Sequence, residues 1–390
     1  MDIPIFFISP TQAPGVWGGF PYLTMEEVPE SKSLKPSQEV ALRVNDTLLP
    51  FRGIVDPENQ FIWLYPTTQL QSPEFWSERV NIALQLRTQF QLHPKTCYRL
   101  IHGEGDFLPG FQVDLYNDYA VLFVLSESLW NHARLLAQAL WDRIPLKGLI
   151  LTLREGEQTR KKPRHELFAG TVPKTIEVIE EGFVYEVHLS SGLNPGLFLD
   201  MRLNRLKLKT FIKGLKFLNL FSYTGSFSVV AAKSEAIQIV SVDQSQGALD
   251  WSRGNFLKNA LDPQNPAYQF LADDVFSYLE NTSDRFDLVL LDPPSWSKHG
   301  ERPFFLKTHL EELLQKTFRV LNPRGLLWLH INSHQSRPEP LEKQIRQAAQ
   351  QSSVLLQLLD ISGLPPDFPT QMIYPQGRYL KSWLFRVNQR

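Results

Sequence analysis

Residues 288–298 read LVLLDPPSWSK: an apolar run that ends in one carboxylate, two prolines and, after a serine, an indole. Unbroken apolar character from Leu288 to Leu291 is the pattern of a strand covered on both faces. Proline has no N–H and a fixed φ, so Pro293 and Pro294 end the strand and stiffen the backbone beyond it. Asp292 and the rigid carbonyls can hold a planar, amine-bearing group in line with a donor, and Trp296 can stack on it. Such positioning is a large contribution to the rate of a group transfer. The competing reading is a plain strand terminator.

The segments around this corner decide between the two. From about residue 196 apolar runs alternate with helical ones: KFLNLFS, IQIVSVD, AYQFLADD, FDLVLLDPP and GLLWLHIN are each followed by a helix. Two strand-like runs, VLLQLLDIS and LKSWLFRV, close the chain. This alternation predicts an α/β domain with a mostly parallel, doubly wound sheet. Ligands of such sheets bind beyond the C-terminal strand ends, near the point where the strand order reverses.

The residues after each strand therefore matter. After the first stands NLFSYTGSFSV (219–229), where Gly225 permits a close backbone approach to a ligand. A single glycine is not G-x-G-x-x-G, and an ordinary strand–helix turn reads the same way. After the second, Asp243 can accept hydrogen bonds from vicinal ribose hydroxyls or cap the next helix. It lies about 18 residues beyond Gly225, the spacing of a nucleoside-binding βαβ unit. After the third, Asp273 or Asp274 can accept from an exocyclic adenine amine, or cap. Loop, acid, acid and D-P-P in this order match class I S-adenosylmethionine-dependent methyltransferases. A nicotinamide dehydrogenase would want the fuller glycine fingerprint.

The preceding half has a different grammar. EVALRV and TLLPFRGIV flank Asn45-Asp46, a hairpin signal, and QFIWLYP comes next, so a small β module ends near residue 73. SPEFWSERVNIALQLRTQFQL predicts a helix with Ser72 at its N-cap and Pro73 at its first position. GFQVDLY and YAVLFVL, a helix from SLWNHARLLAQALWDRI, GLILTL and FVYEVHLS predict an α+β unit. The basic run RKKPRH, Arg160 to His165, reads as a solvated hairpin tip or a phosphate-contacting loop.

The chain has 390 residues, 43% hydrophobic and 21% charged, with formal net charge -1. That neutrality argues against broad, non-specific nucleic-acid binding while leaving room for a local basic face. No apolar run is long enough to span a membrane, and the N-terminus lacks the pattern of a secretory signal. The single cysteine, Cys97, excludes an internal disulfide and a cysteine-based zinc cluster. The expectation is a cytoplasmic protein without membrane or metal partners; a homo-oligomer is compatible.

The motifs resemble the bacterial 23S ribosomal RNA large-subunit methyltransferases of the I and K/L types. CYRLIHGEGDFLPGFQVDLYNDYAVL (97–122), PGLFLDMRLNR (195–205), NLFSYTGSFSV, VSVDQSQGALDWSRGN, ADDVF, DPPSWSK and YPQGRYLKSWLFRV resemble that family's blocks in order. The resemblance implies a PUA-like β domain at 1–74 (degenerate over 1–37), a central α+β domain at 75–188 and a Rossmann-like methyltransferase domain with a seven-stranded sheet at 189–390. It implies S-adenosylmethionine as cofactor and RNA, ribosomal RNA in particular, as partner. It assigns Asp243 to the cofactor ribose and Asp273 or Asp274 to the adenine, with Gln244 and Ser245 also cofactor-binding. Ser222, Tyr223, Thr224 and Gly225 line the methionine end, and Asn219 and Phe221 bind the cofactor with them. Phe198, Asp200 and Arg202 border the same pocket. Asp292, Pro293 and Pro294 face the transferring methyl, Trp296 stacks on the target and Asn332 hydrogen-bonds it.

Members of the family that make 5-methylcytosine need a thiolate to add to the base. They carry it after strand five, where this chain reads LHINSHQS, with Asn332 and Ser333. Cys97 sits elsewhere and reads as a small buried hydrophobe. The expected chemistry is therefore methylation of a base nitrogen, whose lone pair attacks the methyl directly. The alternatives are a protein or small-molecule substrate on the same scaffold, or a member that binds RNA or cofactor without turnover.

Overall fold

A computed structural model describes residues 3–92, 97–154, 163–190, 194–297, 304–334 and 338–389. The chain forms two compact units. One comprises Met1–Val178, Val187–Pro195 and Pro366–Gly377, the other Ile179–Glu186, Gly196–Pro365 and Arg378–Arg390. Among the described residues no helix is long and apolar enough to cross a membrane.

The second unit is built on seven strands: β1 (Lys216–Leu220), β2 (Gln238–Asp243), β3 (Tyr268–Ala272), β4 (Phe286–Leu291), β5 (Leu321–Asn332), β6 (Val354–Ser362) and β7 (Leu380–Gln389). Their spatial order is β3-β2-β1-β4-β5-β7-β6. The sequence predicts a mostly parallel sheet; six of the seven strands run the same way, and the reversed β7 makes the sheet mixed. The pairings from β3 to β5 are parallel, and β7 runs antiparallel between β5 and β6. The helices are α1 (Arg202–Leu208), α2 (Ser226–Lys233), α3 (Gln246–Lys258), α4 (Val275–Asn281), α5 (Leu306–Arg319) and α6 (Pro338–Gln351).

Both faces of the central strands are covered, which explains their continuous apolar runs. Val289, Leu291, Leu327, Leu329 and Ile331 share one core with Leu310 and Leu314 of α5 and Leu341 and Ile345 of α6. The leucines of α5 recur at 306, 310, 313 and 314, one apolar stripe of a 3.6-residue period. Register then aligns the strand ends. Leu220 pairs with both Val242 and Leu291, and Leu291 pairs with Leu329. Residues just beyond β1, β2 and β4 consequently emerge at nearly one level, and β5 runs three residues past it, to Asn332. Order reverses at β1, whose two neighbours are β2 and β4. That is the switch point at which open sheets of this kind bind ligands.

The first unit holds two five-stranded sheets. Ile5–Phe7, Tyr22–Thr24, Glu39–Val44, Thr47–Asp56 and Phe61–Tyr65 form one of them. It encloses Phe6, Val40, Leu42, Val55 and Ile62. The expected hairpin is present, with Val44 opposite Thr47 and Asn45 at φ 49°. The second contains Cys97–His102, Phe111–Tyr116, Tyr119–Val124, Gly148–Leu153 and Arg164–Gly170, with helices Pro73–Gln89 and Trp130–Arg143. Ser72 is the N-cap residue by position, but its hydroxyl bonds the Glu74 carboxylate and no backbone N–H.

Two strands of that second sheet differ from the sequence reading. Cys97–His102 is buried at every position, Arg99 included, because Asp114 neutralises Arg99 at 2.6 Å. A strand buried on both faces shows no period-2 alternation, and Arg99 and His102 break the continuous apolar run that would otherwise mark one, so the run carried no strand signal. FVYEVHLS was expected to complete the sheet. Its place is taken by Arg164–Gly170, the direct hairpin partner of Gly148–Leu153. Phe183–Val187 instead pairs with Ile176–Glu180 in a two-stranded ribbon. Of the basic run, Arg160 to Lys162 lie outside the described residues. Arg164 pairs with Glu127 at 3.0 Å and covers the Trp130 ring, and His165 meets Thr152 at 3.0 Å. Cys97 is buried, as expected of a small hydrophobe.

Candidate active site

The loop from β1 to α2 turns through left-handed backbone at alternate residues: Phe221 (φ 59°), Tyr223 (φ 48°) and Gly225 (φ 71°). Only the last is a glycine, and packing explains why. A Cβ on Gly225 would lie 1.9 Å from Ser252 Oγ of α3, so the glycine admits a helix where the sequence reading has it admit a ligand. The Thr224 hydroxyl donates to the Gly196 carbonyl at 2.6 Å, tying the loop to the 195–205 block. Gly196 has φ 107°, and a Cβ there would meet the Trp251 ring at 2.2 Å. Asn219 is buried and donates its amide to Ser228 Oγ at 2.9 Å, which joins β1 to α2. Ser222 is buried too, and its Oγ has no partner among the described residues.

The acids after β2 and β3 differ in whether they cap the next helix. Asp243 does not cap α3. Ser245 does, through Ala248 N–H at 3.2 Å. Asp243 accepts the Tyr223 N–H on one oxygen (2.8 Å) and the Ser245 N–H on the other (2.9 Å). Each carboxylate oxygen has a second lone pair, so both can still accept from vicinal hydroxyls. Asp274 caps α4 through Ser277 N–H at 3.0 Å and takes the Gln244 amide at 2.6 Å. Asp273 caps no helix and accepts the Asp274 N–H on one oxygen at 2.7 Å.

The D-P-P corner is clamped on two sides. Ser295 Oγ donates to the Asn332 carbonyl at 2.8 Å, and Ser295 O accepts the Leu306 N–H at 3.1 Å. The corner is thereby held to the end of β5 and the start of α5. Pro293 is buried, Pro294 half-buried, and Trp296 stands 46% exposed at the rim. Asn332 is exposed, and its carbonyl serves the clamp. Asp292 is part-buried. Burial pushes its carboxyl up to about 7, the nearby Asp200 adds to this, and Arg205 opposes it.

Beneath Asp292 lies a polar cluster. Asp200 is buried and accepts the Tyr379 hydroxyl at 2.9 Å. Arg205 forms a two-pronged pair with Glu180 at 2.6 and 2.8 Å and donates to the Phe198 carbonyl at 2.8 Å. Arg202 is buried on the same helix. Phe198 is 40% exposed, with its ring 5.3 Å from Tyr223. Arg205, Glu180 and Tyr379 were not singled out in the sequence. Glu180 closes the strand Ile176–Glu180 and lies in no motif, and Tyr379, just before β7, lies inside the YPQGRYLKSWLFRV block without any local feature that marks it as the partner of Asp200.

His330 was also missed. It comes directly after Leu329 of β5 as Asp292 comes after Leu291 of β4, so the two residues stand at one level. Its ring stacks on Phe227 at 5.7 Å, and both ring nitrogens are buried without a partner among the described residues. Burial, helped by Lys207, pushes its pKa down to about 3. The unfolded chain takes up the proton first, near pH 6.5, so stability is lost as pH falls below that value. The loss should reach about 2 kcal/mol by pH 5. His330→Leu is expected to flatten this dependence in urea unfolding measured at pH 8 and pH 5. An unchanged slope would contradict the neutral buried imidazole.

The residues fit S-adenosylmethionine. Ser222 offers an orphaned buried hydroxyl in the loop, and Asp243 offers acceptors at the switch point. Asp200 and Asp292 repel each other where a sulfonium would relieve the repulsion. Asp243, Asp273, the 221–225 loop and the Asp200 region would hold the cofactor, which supplies an electrophilic methyl group.

The strand order, its reversed seventh strand and the D-P-P corner at the fourth strand end define a class I S-adenosylmethionine-dependent methyltransferase. A family model described as S-adenosylmethionine-dependent methyltransferase matches residues 137–386, and the chain belongs to that family. It is 31% identical over 348 residues to ribosomal RNA large subunit methyltransferase I of Erwinia tasmaniensis, covering 86% of this chain and 87% of that one. The protein of the same name in Escherichia coli O157:H7 matches over the same shares, also at 31%. Among solved structures, a methyltransferase named SMU.776, complexed with SAH, superposes with a TM-score of 0.89 at 24% identity. It covers 99% of this chain and is itself covered fully, at 100%. A methyltransferase from Agrobacterium tumefaciens gives 0.56 at 20% identity, over 76% of this chain and 91% of that one.

Proposed function

We propose that this chain methylates a base of ribosomal RNA, at a nitrogen. The observation that carries the nitrogen assignment is the clamped Asp292-Pro293-Pro294 corner beside Asn332 and Ser333, with no thiol at the end of β5. The names of the relatives support ribosomal RNA as substrate. In this reading Trp296 stacks on the target base, and Asn332 and the corner carbonyl orient its nitrogen. The nitrogen lone pair forms the new N–C bond as the S–C bond breaks, and the nitrogen's proton passes to the Asp292 carboxylate. A carboxyl with its pKa near 7 is matched to that transfer at neutral pH. The target must leave its stack to reach the site.

Asp243 takes the ribose of the cofactor and Asp273 its adenine, with Asp274 serving the fold. A core of its own around Phe6, Val40, Leu42 and Ile62 supports a PUA-like module over 1–74, and a second core drawn mainly from residues 75–153, with Ile54, Trp63, Tyr65 and Leu70 of the module packed into it, supports a central α+β domain over 75–188. The protein works in the cytoplasm, where such a substrate is found. Mass spectrometry of ribosomal RNA nucleosides from cells lacking the gene tests the assignment. One N-methylated nucleoside should disappear. Loss of 5-methylcytidine would overturn the nitrogen assignment, and an unchanged profile would overturn ribosomal RNA as substrate.

A further inference from the structure

We infer that Trp296 and Phe305 together form a stacking platform for two nucleobases, so that the enzyme holds its target base and an adjacent base, both unstacked. This rests on the reading of the chain as an RNA base methyltransferase and specifies the substrate of that site.

The two residues are direct antiparallel partners in the short ribbon of Trp296–Ser297 with Phe304–Phe305. Partners in such a pair point to the same face, with Cβ atoms about 4.5–5.5 Å apart. Trp296 is 46% exposed and Phe305 44% exposed, so two large rings lie side by side facing solvent. A half-buried ribbon normally turns polar residues outward. Phe304, the inward neighbour, is 8% exposed and packs near Phe221 and Phe276. The Phe305 N–H donates to His309 Nδ1 at 2.9 Å, which anchors the ribbon to α5. Trp296 lies just beyond the D-P-P corner, and Ser295 between them is clamped on both sides. The platform is therefore fixed relative to Asp292.

Side-by-side aromatic faces are what proteins use to hold successive bases of a single strand. One ring suffices for a single flipped base; the Phe305 ring lies near-parallel to His309 at 6.4 Å and still stays 44% exposed, leaving ring surface for a second base. The preferred substrate is accordingly a loop or bulge in which the target and an adjacent nucleotide are both free of their stacks.

The test uses the full-length protein, S-adenosylmethionine and an RNA oligonucleotide spanning the modified nucleotide. The oligonucleotide is also made with an abasic residue on either side of the target. Phe305→Ala should raise the KM for the intact RNA about 5- to 150-fold. Its kcat should stay within about threefold and its S-adenosylmethionine affinity, measured by calorimetry, should be unchanged, because the lost contact acts on binding alone. Phe305→Tyr should restore the KM, and Phe305→Leu should not. One of the abasic RNAs should cost the wild type the same factor and cost Phe305→Ala nothing more. The platform is overturned by an unchanged KM in Phe305→Ala, by full rescue with leucine, or by additive losses with both abasic RNAs. Wild-type protein that methylates no RNA overturns the RNA reading and the platform with it. Methylation of RNA together with a wild-type KM in Phe305→Ala overturns the platform alone.

Discussion

Asp292→Asn is expected to lower kcat by about 10²- to 10⁴-fold, the usual contribution of a positioned proton acceptor. Its S-adenosylmethionine affinity should stay within a few-fold of wild type. Asp243→Ala should do the reverse and weaken cofactor binding by about 10- to 100-fold through lost charged hydrogen bonds. Equal loss of affinity in both variants would contradict this division of labour. The Asp292 variant also carries its own folding control. Burial and Asp200 raise the carboxyl to about 7, so its contribution to stability is present below its ordinary value and lost as pH rises through 7. Asparagine has no charge to bury there. The variant should be more stable than the ligand-free wild type at pH 8 by about 1–3 kcal/mol, a range discounted for partial exposure. A catalytically dead protein with a raised melting temperature separates lost chemistry from lost folding. In the wild type, kcat/KM should rise with pH and level off above about 7, tracking the free enzyme's carboxylate.

The Arg205–Glu180 pair should show the largest stability effect in the second unit. Both side chains are nearly fully buried and joined by two charged hydrogen bonds. Arg205→Met would strand the Glu180 carboxylate, at a cost of about 3–5 kcal/mol. The double variant Arg205→Met, Glu180→Leu should recover most of that loss, because an apolar pair removes both desolvation costs. Urea unfolding of the three proteins measures this; a single-variant loss below about 1 kcal/mol would be inconsistent with a buried pair. Arg205 also holds the Asp292 carboxyl down. In the double variant the pH at which kcat/KM levels off should therefore move upward, while the fold survives. A purely structural pair would leave that profile in place.

Legibility in the sequence tracked locality. The D-P-P corner, the loop at 219–225 and Asp243 each stand beside their own strand, and the structure brings their strand ends to one level. Capping was the ambiguity at Asp243 and Asp274, and it was settled oppositely at the two. Ser245 takes the cap beside Asp243, while Asp274 is itself the cap of α4. The residues that tune Asp292 were not legible. Arg205 meets Glu180 across 25 residues and Asp200 meets Tyr379 across 179, separations at which no pattern links the partners.

The class of sheet, the order of its chemical motifs and the absence of a thiol after β5 were all readable along the chain. They come from periodicity, proline and side-chain identity, which act within a few residues. Folding alone settled the reversal of β7, the glycine requirement at 225 imposed by Ser252, and the raised pKa of Asp292. Each depends on what packs against a residue from elsewhere in the chain. Desolvation and Coulomb forces act through space, where sequence distance has no bearing on their strength.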